Sequence, residues 1–215
     1  MKVAVFAGTM TDTKMGSDLL IKNNYETILY PISKNPKEQS QLQFYSVEEL
    51  TNMVKEKIED AKEKGAEKIF IYCNSLSASL NLEYLRETTK ISIITPLDVY
   101  KNLDKKYNNV AILAANSKSA FIIDRTICEN GFRNTIAIGN LTLVEAIEDG
   151  LDPKEIIKLL ALDKLVDYFN EIKREELDLI ILGCTHFPYI QEELEKISKI
   201  EILDPAAKML EMLSN

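Results

Sequence analysis

The chain has 215 residues, 46% of them hydrophobic and 28% charged, and carries a formal net charge of −8. That composition is globular, with apolar content for one large core or two small ones; the acidic balance without a basic cluster argues against a nucleic-acid partner. No apolar run approaches the roughly 20 residues that span a bilayer, and three cysteines without close pairing indicate a reducing cytoplasm rather than a disulfide scaffold.

In chain order, Val3-Ala4-Val5-Phe6 reads as a short buried strand rather than the core of a signal peptide. Residues 10–16 read as a polar loop containing Asp12, followed by a helix over 17–23. A second strand covers 27–30 and ends in Pro31 and the loop 33–36. Helical spacing of Val47, Leu50, Met53, Val54, Ile58 and Ala61 predicts a long amphipathic helix over 47–64, ended by Gly65. A third strand, 68–72, leads into Cys73-Asn74-Ser75 and a helical pattern, and a fourth covers 91–95 before Pro96.

The alternation then restarts. Residues 109–113 form a strand ending at Ala115-Asn116-Ser117, with a helix over 119–130 stopped by Gly131, a strand over 135–138, and a brief helix opened by Thr142 and closed at Gly150. Asp152-Pro153 starts a helix reaching about residue 173, with side-chain capping and proline chemistry in place. Leu179-Ile180-Ile181-Leu182 has no polar alternation, as expected of a strand buried on both faces of a parallel sheet. It stops at Gly183 and delivers Cys184-Thr185-His186, after which Pro188 opens a helix to about residue 198. A strand over 201–203 and Asp204-Pro205, opening the last helix, complete the chain.

The halves align. Residues 3–6 match 110–113, the Cys73 strand matches the Cys184 strand, and Ile93-Ile94-Thr95-Pro96 matches Ile202-Leu203-Asp204-Pro205. The expected fold is α/β: two pseudo-symmetric parallel-sheet domains, 1–96 and 97–204, with the active site in the cleft between them. A C-terminal helix, 205–215, returns to the first domain.

Ligands of open α/β sheets sit beyond the carboxyl ends of strands. Cys73 and Cys184 both stand there, each expected at a helix N-terminus where amide dipoles favour a thiolate. Two such sulfurs suit proton exchange at a stereocentre, one as base and the other as acid. Because an amino-acid α-hydrogen is a very weak acid, the developing carbanion needs preorganised donors around its carboxylate; Asn74, Ser75, Thr185, Asn116 and Ser117 are the candidates. A single histidine, His186, excludes a multi-histidine metal site, and no glycine-rich phosphate loop is present, so no metal is assigned.

Cys73-Asn74-Ser75-Leu76-Ser77-Ala78 and Gly183-Cys184-Thr185-His186-Phe187-Pro188 resemble the two signature motifs of the cofactor-independent aspartate/glutamate racemase family. The second is most similar to the glutamate racemase version. Leu143-Val144-Glu145 and Asp204-Pro205-Ala206 also resemble family segments, and the likeness runs through nearly the whole chain. The resemblance implies a pyridoxal-free isomerase acting on glutamate or aspartate with no cofactor. It implies Cys73 and Cys184 as acid/base residues, His186 as a helper beside Cys184, and Gly8, Thr9, Asn74, Ser75 and Thr185 as substrate contacts. Where glutamate racemases carry Asp-Ser-Gly after the first strand, this chain has Ala7-Gly8-Thr9, which leaves Asp12 as the nearby carboxylate.

Structural alternatives stand beside these readings. A lone cysteine after an apolar strand is ordinarily a small buried hydrophobe; Cys128, mid-helix beside Ile127 without polar company, is read that way. His186 equally suits orienting the helix, Thr142 to Glu145 spells a capping box, Asp204 an N-cap, and Asp12 a loop residue. Rival functions on the same fold are a decarboxylase or cis–trans isomerase of small dicarboxylates, or a non-catalytic binder of a small ligand. A homodimer is compatible with the sequence, although no seam marks its interface.

Overall fold

A computed structural model describes residues 1–34, 38, 44–129, 131, 134–174 and 176–214. Strand β1 (Lys2–Ala7) carries the apolar run 3–7, buried throughout. Helix α1 (Met10–Lys22) begins seven residues earlier than expected, so the stretch 10–16 is helix and not loop. Its entry is fixed by polar chemistry: Thr9 caps it, and Asp12 returns the bond to the Thr9 amide. Four polar residues in that stretch hide the apolar periodicity that marks most helices. Gly16 brings α1 close to the sheet, since a Cβ there would lie 2.8 Å from Tyr72 Cβ and 2.9 Å from Val5 Cγ1.

Strand β2 (Glu26–Pro31) follows, then α2 (Val47–Glu63), capped by Ser46 and Glu49 in the same reciprocal pattern and ended by Gly65 at φ +86°. Asn35 and Pro36 of the expected loop lie outside the described residues. Strand β3 (Lys68–Ile71) leads to two short helices, α3 (Asn74–Ala78) and α4 (Leu82–Thr89), and β4 (Ser92–Ile94). Helix α5 (Pro96–Lys101), absent from the sequence reading, starts at another reciprocal cap: Thr95 Oγ1 donates to Asp98 Oδ2 at 2.8 Å, and the Asp98 amide donates to Thr95 Oγ1 at 3.4 Å. Arg86 Nη2 bonds both Asp98 oxygens, at 2.7 and 2.8 Å.

The second series comprises β5 (Asn109–Ala114), α6 (Ser117–Glu129), β6 (Asn134–Gly139), α7 (Leu141–Glu148), α8 (Pro153–Leu159), α9 (Leu162–Glu171), β7 (Leu179–Gly183), α10 (Pro188–Glu195), β8 (Glu201–Leu203) and α11 (Pro205–Ser214). Asn130, the expected end of the helix before Gly131, is outside the described residues. Asn140 caps α7 through the Leu143 amide, so the Thr142-to-Glu145 capping box does not form. The single helix expected from Pro153 is two, broken at Ala161 with φ +51°. In one continuous helix, buried Leu162, Val166 and Phe169 would face away from buried Ile156 and Ile157. The break turns both stripes onto one core.

Both sheets are parallel, with strand orders β2-β1-β3-β4 and β6-β5-β7-β8. Series one and series two therefore wind identically, with their first and third strands adjacent at the centre. The chain divides into two compact units, 1–98 with 206–215, and 99–205. Helix α11 brings buried Ala206, Met209 and Leu213 to the first unit, where Lys68 Nζ donates to the Leu213 carbonyl at 2.7 Å. No helix of the described residues is long and apolar enough to cross a membrane.

Candidate active site

In the first unit, the register Phe6↔Ile71 between β1 and β3, carried two residues on, sets Cys73 beside Gly8. Cys73 is the extended residue preceding α3 and is 5% exposed. Its carbonyl accepts from the Ser77 amide and hydroxyl, which fixes the turn. Its sulfur lies 3.3 Å from Ser75 Oγ. Burial pushes the thiol pKa up, and the Asp12 carboxylate adds to the rise; Ser75 and the Leu76 and Gly8 amides pull the other way. The expected lowering by a helix N-terminus therefore does not prevail, because α3 has one turn and the sulfur is desolvated beside a carboxylate. Asn74, the first residue of α3, is buried, and Thr9 is held at the end of β1 by its bonds to Asp12.

In the second unit, the register Ala114↔Gly183 sets Cys184 at the corresponding place, 6% exposed, just past the end of β7. Helix α10 begins only at Pro188, with the turn closed by Phe187 N donating to the Cys184 carbonyl at 3.1 Å. Cys184 thus lies one turn before a helix and not at its N-terminus, a correction to the sequence reading. His186, 4% exposed, has Nδ1 3.6 Å from Cys184 Sγ and Nε2 3.3 Å from Glu148 Oε1. Thr185 is half-buried between them in sequence. At the neighbouring end of β5, Asn116 Oδ1 accepts from the Ser119 amide at 2.9 Å and hydroxyl at 3.1 Å, so this oxygen caps α6 and the Nδ2 group is its remaining donor. Ser117, the first residue of α6, is exposed.

Gly8, Thr9, Asn74 and Ser75 thus stand at the adjacent ends of β1 and β3 with Cys73. Asn116, Ser117, Thr185 and His186 stand at the adjacent ends of β5 and β7 with Cys184. Two further groups escaped the sequence reading. Glu148, at the end of α7, faces His186. Tyr100 on α5 is fully buried; burial first, then the charges of Asp204 and Cys184, hold its hydroxyl well above the usual tyrosine range. Cys128 is not a buried hydrophobe: it is exposed, 3.7 Å from Asp124 Oδ1. Among the described residues, no group of three or more acidic, histidine or cysteine side chains is arranged to hold a metal.

The model of the Asp/Glu/Hydantoin racemase family matches residues 33–213. The glutamate racemase of Carboxydothermus hydrogenoformans is 30% identical over 148 residues, 66% of this chain and 53% of that protein. That of Fusobacterium nucleatum is 28% identical over 148 residues, covering 66% and 54%. The chain therefore spans little more than half the length of these curated relatives. Among solved structures, glutamate racemase of Francisella tularensis in complex with D-glutamate superposes with a TM-score of 0.76 at 22% identity, over 99% of this chain and 79% of that one. An aspartate racemase homologue from Pyrococcus horikoshii gives 0.70 at 18% identity, over 100% and 99%. At these identities the structures speak for the fold; the match of the family model over 33–213 shows that the chain belongs to the Asp/Glu/Hydantoin racemase family.

Proposed function

We propose that the protein is a cofactor-independent racemase of an acidic amino acid, glutamate or aspartate, in which Cys73 and Cys184 exchange the α-proton. The supporting observation is repetition: each unit delivers one buried thiol just beyond the carboxyl end of its third strand, beside its first. Family membership and relatives named glutamate racemase supply the reaction type and substrate class. One thiolate takes the α-proton; the other thiol delivers a proton to the opposite face and is left as the thiolate. The roles exchange in the reverse direction. Gly8, Thr9, Asn74, Ser75, Asn116, Ser117 and Thr185 are the donors proposed to bind the carboxylates and spread the carbanion's charge. His186, with Glu148 behind it, attends Cys184. All three cysteines are free, and the reaction is assigned to the cytoplasm, where they remain reduced.

Incubation with each enantiomer of glutamate, aspartate and a panel of other amino acids in deuterated water tests the proposal. The expected result is loss of optical activity from either enantiomer, with deuterium appearing at the α-carbon. Cys73→Ser or Cys184→Ser should each lower turnover by at least about 100-fold. Binding without α-exchange, or conversion of a dicarboxylate that survives Cys73→Ser, would overturn it.

A further inference from the structure

Ser33, two residues past the end of β2, is a buried polar residue that the site described above does not use. It is 5% exposed, and both of its donors reach one acceptor: the Gly8 carbonyl receives the Ser33 amide at 2.9 Å and the Ser33 hydroxyl at 2.7 Å. One residue earlier, Ile32 N donates to the Ala7 carbonyl at 3.0 Å. The carbonyls of Ala7 and Gly8 thus both face the end of β2. In a regular inner strand successive carbonyls face opposite neighbours, as the Phe6 carbonyl does by accepting from Tyr72 N at the end of β3. Strand β1 leaves that alternation at Gly8. Across a trans peptide the N–H points opposite to the C=O, and these peptides are trans. The N–H groups of Gly8 and Thr9 are therefore both turned away from β2. That of Thr9 is taken by Asp12 at 3.1 Å; that of Gly8 faces the end of β3, where the register sets Cys73 beside it. In the second unit Asn140 N donates to the Ala114 carbonyl at 2.8 Å, the counterpart of the Ile32 bond, and the next residue, Leu141, already opens α7.

We propose that Ser33 is a positioning residue for Cys73: by holding the Gly8 carbonyl on the β2 side, it keeps the Gly8 N–H aimed at that sulfur. This rests on the two-thiol reading given above and adds a residue that serves one of the two thiols from another strand end. Gly8 has no side chain to anchor it and the widest choice of backbone angles, so its nitrogen stays in place only if the peptides on both sides are held. Ile32 holds the peptide before it and Ser33 the peptide after it. Strand pairing needs only the Ser33 amide; the hydroxyl is a second donor to a carbonyl already bonded, and its burial ties it to that one place. A fixed N–H beside a sulfur favours the thiolate, and the Gly8 amide is among the donors that favour it at Cys73. In either direction of the proposed exchange Cys73 is a thiolate at one end of the step. The same donor therefore serves both directions, and the roles of the two sulfurs remain exchangeable.

Alkylation by iodoacetamide across a pH series, with Cys73 and Cys184 resolved as separate peptides by mass spectrometry, tests this on the whole chain. Ser33→Ala removes the hydroxyl and keeps the amide bond to Gly8. It should slow alkylation of Cys73 near neutral pH about fivefold, the net effect of one hydrogen bond, with the Cys184 rate unchanged in the same tube. Ser33→Thr keeps the hydroxyl and should stay within about twofold of the unaltered protein. Turnover should follow, with kcat in both directions lowered by a similar factor in Ser33→Ala and recovered in Ser33→Thr. An unchanged Cys73 profile in Ser33→Ala would leave Ser33 as a sheet-pairing residue only and overturn the proposal. So would equal slowing in Ser33→Ala and Ser33→Thr. If both thiols of a variant become equally reactive, it has unfolded, and nuclear magnetic resonance of the unaltered protein decides. There the Gly8 amide resonance should move as Cys73 ionises and stay still over the same pH range in Cys73→Ser; a Gly8 resonance indifferent to that thiol would overturn the proposal. The thiol and amide readouts are independent of turnover, and failure of the racemase reading shows separately as absence of α-deuterium exchange in the unaltered protein.

Discussion

Glu148 Oε1 lies 3.3 Å from His186 Nε2, on the opposite side of the ring from Cys184. With the ring proton on Nε2, towards the carboxylate, Nδ1 is the acceptor that faces the Cys184 thiol. In the proposed racemisation, Glu148 would act only through the ring. Glu148→Ala should lower kcat/KM by about tenfold or more, while Glu148→Gln, which retains an acceptor oxygen, should keep most of it. Equal losses in both variants would show that the ring is oriented by its own burial. In the sequence, Cys73, Cys184 and His186 stand out as candidates because each lies just after an apolar run that stops at a strand end. Glu148 does not, because nothing local pairs residues 148 and 186, and Glu145 nearby offers a plausible cap with Thr142. Asp12 reads as a loop residue in the sequence but lies in the first turn of α1. Its Thr9 partner three residues before is the signal for a helix start, and the polar stretch after it conceals the rest of that helix.

At the level of elements, two small residues have opposite requirements. Gly139 ends β6 against the turn that follows β5. A Cβ there would stand 2.2 Å from the Asn116 carbonyl carbon and 2.3 Å from Ser117 N, both backbone atoms that cannot rotate away. Gly139→Ala must displace the turn carrying Asn116 and Ser117. It should cost about 2–3 kcal/mol and lower the thermal midpoint by roughly 5–10 °C. Ala161 has the reverse problem, being a residue with a Cβ at φ +51°. Ala161→Gly should relieve a left-handed strain that exceeds glycine's extra unfolded-state entropy, and so gain about 0.5–1 kcal/mol. Urea denaturation of both variants, read at the midpoint, checks the two signs together. The existence of most strands and helices could be read from the sequence because the strands are solid apolar runs and the longer helices carry clear stripes. The break at Ala161 could not, since alanine carries no signal of a left-handed turn. It is visible only in the phase of Ile156 and Ile157 against Leu162, Val166 and Phe169. Helix α5 leaves no periodic pattern in the sequence, because so short a helix is set by its cap.

At the scale of the molecule, the two series share strand order and thiol position, yet differ in how they are completed. The second unit is continuous, 99–205, and its core is drawn from its own strands and helices. The first is discontinuous and takes α11 from the far end of the chain. Met209 and Leu213 are buried at 0% and 1% exposure, and Tyr25 Oη and Ser214 Oγ are 3.2 Å apart. Such a helix has little reason to form alone at ten residues, so its contribution is the surface it buries. Burying those two side chains contributes about 1.5–3 kcal/mol each. A chain ending at Pro205 should therefore lose roughly 3–6 kcal/mol from the first unit alone. Amide hydrogen exchange locates the loss: protection of 3–7 and 69–71 should fall by at least about 100-fold, while 110–114 and 179–182 keep theirs. Equal loss in both sets would mean that the units unfold as one. Unchanged protection of β1 and β3 would mean that α11 covers a surface the first unit does not need, and that the repeated fold is complete without it.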